Sequence, residues 1–228
     1  MWQQDPGEKM TYSEAVSGAD SFNLAGYDDW KLPSIKELYS LMDFRGIDPD
    51  PMSGSASEFT PFIDTEYFIF EYGDPRSGER IIDSQWTTTS VYKSTVMEGQ
   101  EGFFGVYFAD GRIKCYPTGD NKLFFTGYVR GNIYGVNDFV DNGDATITDQ
   151  ATGLIWQKSD SGQGMIWEDA LSYSENFELA GYNDWRLPNA KELQSIIDYS
   201  RCPDFTDSAA IDPIFETSSI TNEAGDVD

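Results

Sequence analysis

Two similar stretches, GYDDWKLPSIKELYSLMD at Gly26–Asp43 and GYNDWRLPNAKELQSIID at Gly181–Asp198, lie 155 positions apart in the chain. The similarity extends upstream of both. When Met10–Asp43 is aligned with Met165–Asp198 without a gap, 17 of the 34 positions are identical. This level of identity indicates that one structural unit is used twice.

Each copy predicts a short helix, a tight loop and a second helix. Apolar residues recur at helical spacing after Thr11 or Ser13, either of which can cap the first helix. The following AGYDDW and AGYNDW contain Gly, Asp and Asn, which favour turns. Ser34 then lies three residues before Glu37, the spacing of a capping box, and Asn189 and Glu192 repeat it in the second copy. The second helix of each copy therefore starts there.

Trp30 and Trp185 occupy matching positions in the two copies. Both can stack on a sugar ring, but between two helices we expect them to be buried core residues. The neighbouring Lys31 and Arg186 are predicted to form structural ion pairs with nearby carboxylates, namely Glu37, Glu192, Asp43 and Asp198.

The stretch between the copies has the β-branched and aromatic composition of strands. Ser84–Tyr92 predicts one strand, Gly102–Tyr116 a hairpin with a turn at 109–111, and Leu123–Arg130 a further strand. Asn142-Gly143 is a strong two-residue turn signal, so Phe139–Trp156 predicts another hairpin.

These elements predict a first unit at residues 1–131, a connector at 132–138 and a second unit at 139–228. Trp2-Gln3 matches Trp156-Gln157 with one residue of slippage, so the first copy begins inside a segment that the second has in full. The second copy has no counterpart of the later strands. We therefore expect a window of a longer tandem array, whose second unit is completed by further sequence or by another chain. Alternatively, the hairpin at 139–156 folds back to complete the first unit.

The chain is strongly acidic, with 40 Asp and Glu against 15 Lys and Arg and a formal net charge of −25. Such a charge repels nucleic acids, anionic membranes and sulfated glycans, and leaves neutral or cationic partners. No run of about 18 apolar residues is present, so we expect no insertion into a membrane.

The absence of histidine excludes a Ser-His-Asp triad, a Cys-His dyad and a histidine-ligated metal. Cys115 and Cys202 lie at non-equivalent positions of the copies, which excludes a repeated disulfide and a Cys-rich zinc site. The two cysteines can still bridge the copies. With no nucleophile–base pair in view, we do not expect an enzyme.

The order of motifs in the second copy is DNGDATITDQATGLIW, W-E-D-A and AGYNDWRLPNAKELQSIID, and the first copy continues into QWTTTSVY, FGVYFADGRIK and YVRG. This order resembles the family of the C-terminal domain of the Legionella collagen-like adhesin, with the signature DW[KR]LP..KEL. That family is similar in element order to formylglycine-generating-enzyme and C-type lectin folds. The resemblance therefore implies an α+β fold, in which tandem lectin-like units each combine two helices with a twisted antiparallel sheet.

The chain departs from these families at positions that matter for chemistry. Members often carry a cysteine in the first helix and another in the closing strand, and the matching positions here are Ala19, Ser174 and about Tyr128. The formylglycine-generating enzyme uses a pair of catalytic cysteines, whereas only Cys115 lies in the corresponding region. The adhesin is understood to bind sulfated polysaccharides through basic surface, which a charge of −25 disfavours.

Two groups of residues are candidate sites. Beside the loops, a polar ligand-binding surface is predicted to face solvent at Thr87, Thr89, Lys93, Arg112 and Lys114. Carboxylates around the Asn-Gly turn can supply oxygen ligands for calcium, which accepts irregular loops, at Asp141, Asp144 and Asp149. The alternative for these carboxylates is a plain hairpin turn in solvent.

Fold resemblance implies a secreted or cell-surface binding and adhesion module that recognises a glycan or protein ligand. Tandem weak sites would raise avidity without new contacts. The alternative is a structural subunit or spacer of an extracellular filament or surface layer, whose partners are neighbouring copies of itself.

Overall fold

The computed structural model describes residues 1–52, 55–119 and 121–219. The chain forms two compact units, residues 1–134 and 135–228, with their boundary inside the predicted connector. Residues 220–228 of the predicted second unit lie outside the described residues. Short helices and two antiparallel sheets make up the described chain, which confirms the α+β class. None of the helices in this part of the chain has the length and apolar character needed to cross a bilayer.

The first unit is built around one long strand. Its elements are the helices α1 (Tyr12–Gly18) and α2 (Ile35–Tyr39) and the strands β1 (Gln85–Trp86), β2 (Val91–Val96), β3 (Gln100–Tyr107) and β4 (Arg112–Pro117). The antiparallel pairing of β3 with β4 runs from Gly102↔Pro117 to Tyr107↔Arg112. This pairing confirms the predicted hairpin, and β1 and β2 pair with β3 along its other edge.

The predicted strand Ser84–Tyr92 is wrong in extent, because the chain leaves the sheet between β1 and β2. There the Thr87 N–H donates to the Phe125 carbonyl at 2.9 Å, and the Thr89 N–H donates to the Pro33 carbonyl at 2.8 Å. These hydrogen bonds replace the ladder with β3.

Residues Phe124–Arg130, which we call the closing segment, form single bridges instead of the continuous strand predicted at Leu123–Arg130. Phe124 pairs with Met10, Phe125 with Trp86, and Val129 with both Trp2 and Lys31. The closing segment therefore connects the N-terminal residues, β1 and the loop before α2.

Aromatic side chains form the core of the first unit. The Trp86 and Phe108 rings meet edge to face at 5.4 Å between centroids, and Phe103 and Phe124 do so at 5.0 Å. All four side chains are fully buried. Burial of large aromatic rings is the main source of stability for such a core.

Both helices of the first unit begin at capping boxes. Thr11, and not Ser13, caps α1 together with Glu14, and Ser34 with Glu37 caps α2 as predicted. The α1 helix ends at Gly18 and continues into a 3₁₀ turn at Ala19–Ser21.

The second unit contains the strands β5 (Phe139–Asp141), β6 (Thr146–Asp149) and β7 (Leu154–Gln157) and the helices α3 (Trp167–Glu175), α4 (Ala190–Ser195) and α5 (Pro203–Thr206). The sheet order is β5-β6-β7, all antiparallel, so β7 is an edge strand. The connection between β5 and β6 spans residues 142–145, so the predicted two-residue turn at Asn142-Gly143 is too short, and Gly143 and Ala145 have φ of 76° and 68°. A second connection at residues 150–153 makes the predicted hairpin Phe139–Trp156 a three-stranded sheet. A capping box of Asn189 and Glu192 starts α4, as predicted.

Candidate functional site

An open groove of about 730 Å³ lies within the second unit. One wall is β7, the other is the loop before α4, and residues of α3 and α4 form the floor. Six aromatic side chains line the groove: Trp156, Tyr173, Phe177, Tyr182, Trp185 and Phe215. Polar groups of Asp184, Arg186 and Glu192 lie at its margin. A concave apolar site with a few polar groups is the usual form of a ligand-binding site.

A tight turn presents the aromatic residues of the second wall. Leu179 and Tyr182 exchange two backbone hydrogen bonds of 3.1 and 2.9 Å, and the two residues between them adopt φ values of 53° and 81°. The first copy makes the same turn between Leu24 and Tyr27, with φ values of 55° and 81°. The second of these residues is glycine in both copies, which adopts positive φ without steric cost.

An ion pair fixes the loop to the start of α4. Arg186 donates two hydrogen bonds of 2.8 and 2.6 Å to the Glu192 carboxylate, which also accepts from the Asn189 N–H at 2.8 Å. The hydrogen bond from Arg186 is the main reason that the pKa of Glu192 lies below its ordinary value. Lys31 and Glu37 form the corresponding pair at 2.6 Å.

Both ion pairs predicted across the loop are therefore confirmed, but the other two carboxylates do not take part. Asp43 binds Arg45 at 2.6 Å instead. Asp198 accepts hydrogen bonds from the N–H and hydroxyl of Ser200.

The two copies differ in how deeply their apolar residues are buried. Trp30 is 5% exposed and Leu38 is fully buried, whereas Trp185 is only half-buried and Leu193 is 48% exposed. The expected burial of both tryptophans is thus confirmed for Trp30, whereas Trp185 is only partly buried. In the first unit the closing segment packs on α1 and Trp30 through Tyr128, and α2 lies against β3. Residues 135–219 contain no counterpart of the closing segment or of β3. The groove occupies the uncovered face.

The predicted polar surface is only partly assembled. Thr87 is fully buried, and its hydroxyl donates to the Phe125 carbonyl at 3.2 Å, so the expectation that it faces solvent is wrong. Thr89 and Lys93 are exposed.

Arg112 and Lys114 do meet, at the buried Asp110 carboxylate, with distances of 3.0 and 2.5 Å. The Lys114 ammonium also lies 3.8 Å from the centre of the Tyr107 ring. The Arg112 and Lys114 side chains therefore already have partners within the protein.

The three carboxylates predicted to bind calcium make separate hydrogen bonds. Asp141 binds Lys158 at 2.9 Å, and Asp144 accepts from the N–H and hydroxyl of Thr146. Asp149 is buried and accepts four hydrogen bonds from residues 137–138 and 151–152. Within the described ranges, no group of three or more acidic, Cys or His residues is arranged to hold a metal ion. Calcium binding stays a prediction, which melting curves with and without millimolar calcium test.

Both cysteines are free thiols, so the bridge between Cys115 and Cys202 that we considered is not formed. Burial raises the pKa of the Cys115 thiol to about 11. A thiol with such a high pKa is a poor nucleophile at neutral pH.

The groove residues Trp156 and Tyr182 are absent from the sites predicted from sequence. The available signal was the match between Trp2-Gln3 and Trp156-Gln157, together with the lack of a second YVRG segment. These observations indicate that residues 139–219 supply the walls of a slot and contain no counterpart of the closing segment.

The family model of the Lcl C-terminal domain matches residues 1–130 and 145–225. These two ranges contain both helix pairs, the closing segment and the groove. No curated protein and no solved structure matches the chain. Since the match covers most of the 228 residues and carries the DW[KR]LP..KEL signature of the adhesin domain in both copies, the chain belongs to the Lcl C-terminal domain family.

Proposed function

We propose that the chain is a non-enzymatic binding module of the adhesion type, which acts at the cell surface or outside the cell. The open groove of the second unit carries this proposal. It offers aromatic walls with polar groups at the rim, a combination that suits a glycan or a segment of a protein. Membership of an adhesin-associated domain family supports the same conclusion.

We also propose a fold for the two units. We assign both units to tandem C-type lectin-like modules, and the support is the shared geometry of their helix pairs. The capping boxes, the turns at Leu24–Tyr27 and Leu179–Tyr182, and the cation–carboxylate pairs recur at a constant offset of 155 residues.

Charge narrows the class of ligand. At a net charge of −25, the chain repels polyanions at long range, so we assign it neutral or cationic ligands and not nucleic acids or sulfated glycans. We expect binding to a glycan to depend on aromatic stacking in the groove.

A single substitution in the groove tests the function. Leu193→Asp places a charge on a groove residue that is already 48% exposed, so the fold is retained while the apolar site is disrupted. Leu123→Asp, at a residue in the first unit that is 50% exposed, is the matched control. Both variants and the parent chain are applied to an array of glycans and extracellular matrix proteins, with and without calcium.

We expect at least one ligand that the parent and Leu123→Asp chains bind equally and that Leu193→Asp binds at least about tenfold more weakly, because burial of an unpaired carboxylate is costly. Equal binding of every array ligand by all three chains would contradict a role for the groove.

A structural subunit is the second candidate, and the unpaired edge of β7 favours it. Exposed sheet edges are templates for pairing with another chain. Sedimentation across a range of concentrations distinguishes the two: a chain that stays monomeric and binds an array ligand is a receptor module, whereas ordered self-association without a ligand is a structural subunit.

A further inference from the structure

The closing segment of the first unit fills a slot between two stretches of backbone. On one side, the Gln3 N–H donates to the Tyr128 carbonyl at 2.9 Å. On the other side, Lys31 and Val129 exchange two hydrogen bonds of 2.8 and 2.9 Å. An extended strand is thus held through its main chain on both edges.

The second unit contains both walls of such a slot. Trp156 and Gln157, which match Trp2 and Gln3, belong to the edge strand β7, and Arg186 matches Lys31. All three line the groove. Among the described residues, β7 pairs only with β6, and no backbone–backbone hydrogen bond engages Arg186. In the first unit, the main-chain groups of Gln3 and Lys31 hold the closing segment. The corresponding groups of Gln157 and Arg186 have no paired strand among the described residues.

We propose, on the basis of the adhesion-type function above, that this groove binds an extended strand of another polypeptide by β-augmentation. Main-chain hydrogen bonds to Gln157 and Arg186 provide the affinity, and side-chain subsites provide the specificity. The strand carries, in succession, a small residue, a β-branched apolar residue such as valine, and an arginine. These three positions correspond to Tyr128, Val129 and Arg130 of the closing segment.

The subsite for arginine is already formed. In the first unit, Arg130 binds Asp29 at 2.6 Å, and its guanidinium lies 3.7 Å from the centre of the Tyr27 ring. Asp184 and Tyr182 are their counterparts, and both line the groove. No described residue forms a hydrogen bond or ion pair with the Asp184 carboxylate. A carboxylate beside an aromatic face is a good receptor for a guanidinium.

The subsite for the small residue excludes tyrosine. In the first unit, a Cβ atom added at Gly18 would lie 2.6 Å from the Tyr128 hydroxyl oxygen. The counterpart of Gly18 is Tyr173, a groove residue with a full side chain at that position. The closing segment of a second copy of this chain would collide there, so the occupant is a strand with a smaller residue.

The test uses synthetic peptides with the sequence of residues 123–131 and the intact 228-residue chain. We expect a peptide with Tyr128→Ser to bind, and the unsubstituted peptide to bind at least about tenfold more weakly because of Tyr173. Adding Val129→Pro to the serine peptide removes the N–H that meets Arg186 and abolishes binding. Hydrogen exchange at the Arg186 amide is expected to slow by at least about tenfold in the serine complex.

A pair of protein variants tests the arginine subsite. Asp184→Asn weakens binding of the serine peptide by about tenfold, the usual worth of a charge-assisted hydrogen bond. Asp169→Asn, an equal change of charge on the exposed face of α3 outside the groove, leaves it unchanged. Equal affinity of the unsubstituted, serine and proline peptides, or unchanged exchange at Arg186, would overturn the proposal.

The same measurements separate this inference from the proposed function. If an array ligand binds and Leu193→Asp abolishes that binding, but no peptide binds, the strand proposal is overturned and the adhesion function stands. If the serine peptide binds and no array ligand does, the strand proposal stands and the adhesion function is overturned. A dimer formed by exchange of Phe124–Arg130 between copies overturns the choice of occupant.

Discussion

Glu192 joins three local structures through one carboxylate. It accepts hydrogen bonds from the start of α4 and from Arg186, which carries the backbone of the second groove wall. Because these bonds favour the charged carboxylate, they lower its pKa from the ordinary value of 4.5. The stabilisation they give is present above that value and is lost as the pH falls through the lower pKa of the folded state.

We therefore expect Glu192→Gln to lower the melting temperature at pH 7, with a cost of about 1 kcal/mol or less because the pair is partly solvated. The difference from the parent chain should narrow as the pH falls below the ordinary glutamate pKa and close as it passes the lower pKa of the folded state. Thermal melts followed by circular dichroism at several pH values check this. Glu168→Gln on the exposed first turn of α3 is the control, and a difference that persists unchanged in acid would contradict the account.

Residue-level sequence patterns identify such caps well, since Ser34 with Glu37 and Asn189 with Glu192 are local signals three residues apart. The same reasoning fails at Thr87, because a polar residue in an alternating strand is expected to face solvent. Thr87 directly follows β1 and is fully buried, and its N–H and hydroxyl both donate to the Phe125 carbonyl of the closing segment. Its burial depends on residue 125, which no local pattern connects to it.

At the scale of elements, the contact between β1 and β3 depends on a close approach of two backbones. A Cβ atom added at Gly105 would lie 2.6 Å from the carbonyl oxygen of Trp86. The neighbouring atom belongs to the main chain and so cannot rotate away. The absence of a side chain at Gly105 is therefore what permits β1 to pack against β3.

We expect Gly105→Ala to destabilise the first unit by about 1–3 kcal/mol, the usual cost of overpacking a core. Gly119→Ala is the matched control, because the nearest atom to its added Cβ lies 4.0 Å away. Urea unfolding followed by tryptophan fluorescence measures both variants. Equal midpoints for the two would show that β1 can move aside.

At the scale of the whole molecule, the two units differ in how completely their helix pairs are covered. The first unit has a closed aromatic core, and the second leaves Leu193 exposed and Trp185 only partly buried. Each Å² of apolar surface that stays exposed lacks about 25 cal/mol of the stabilisation that its burial would give. The sequence repeat predicts both helix pairs, but the groove follows from the absence of a counterpart of the closing segment among residues 135–219, which neither copy shows alone.

Separate expression of residues 1–134 and 135–228 tests this difference. We expect the first fragment to melt cooperatively at the higher temperature and the second to melt at a lower temperature and bind a hydrophobic dye, because its groove is open. Differential scanning calorimetry and dye fluorescence give the comparison. The opposite order of melting temperatures would show that the groove costs the second unit little stability.

The thiol of Cys115 bears on how readily the protein reacts with oxidants and disulfides. With a pKa of about 11, roughly one thiol in ten thousand is ionised at pH 7, and only the ionised form attacks a disulfide or reacts readily with an oxidant. An accessible, ionised cysteine invites covalent dimers and mixed disulfides. Partial burial of the Cys115 sulfur therefore slows these reactions at that position.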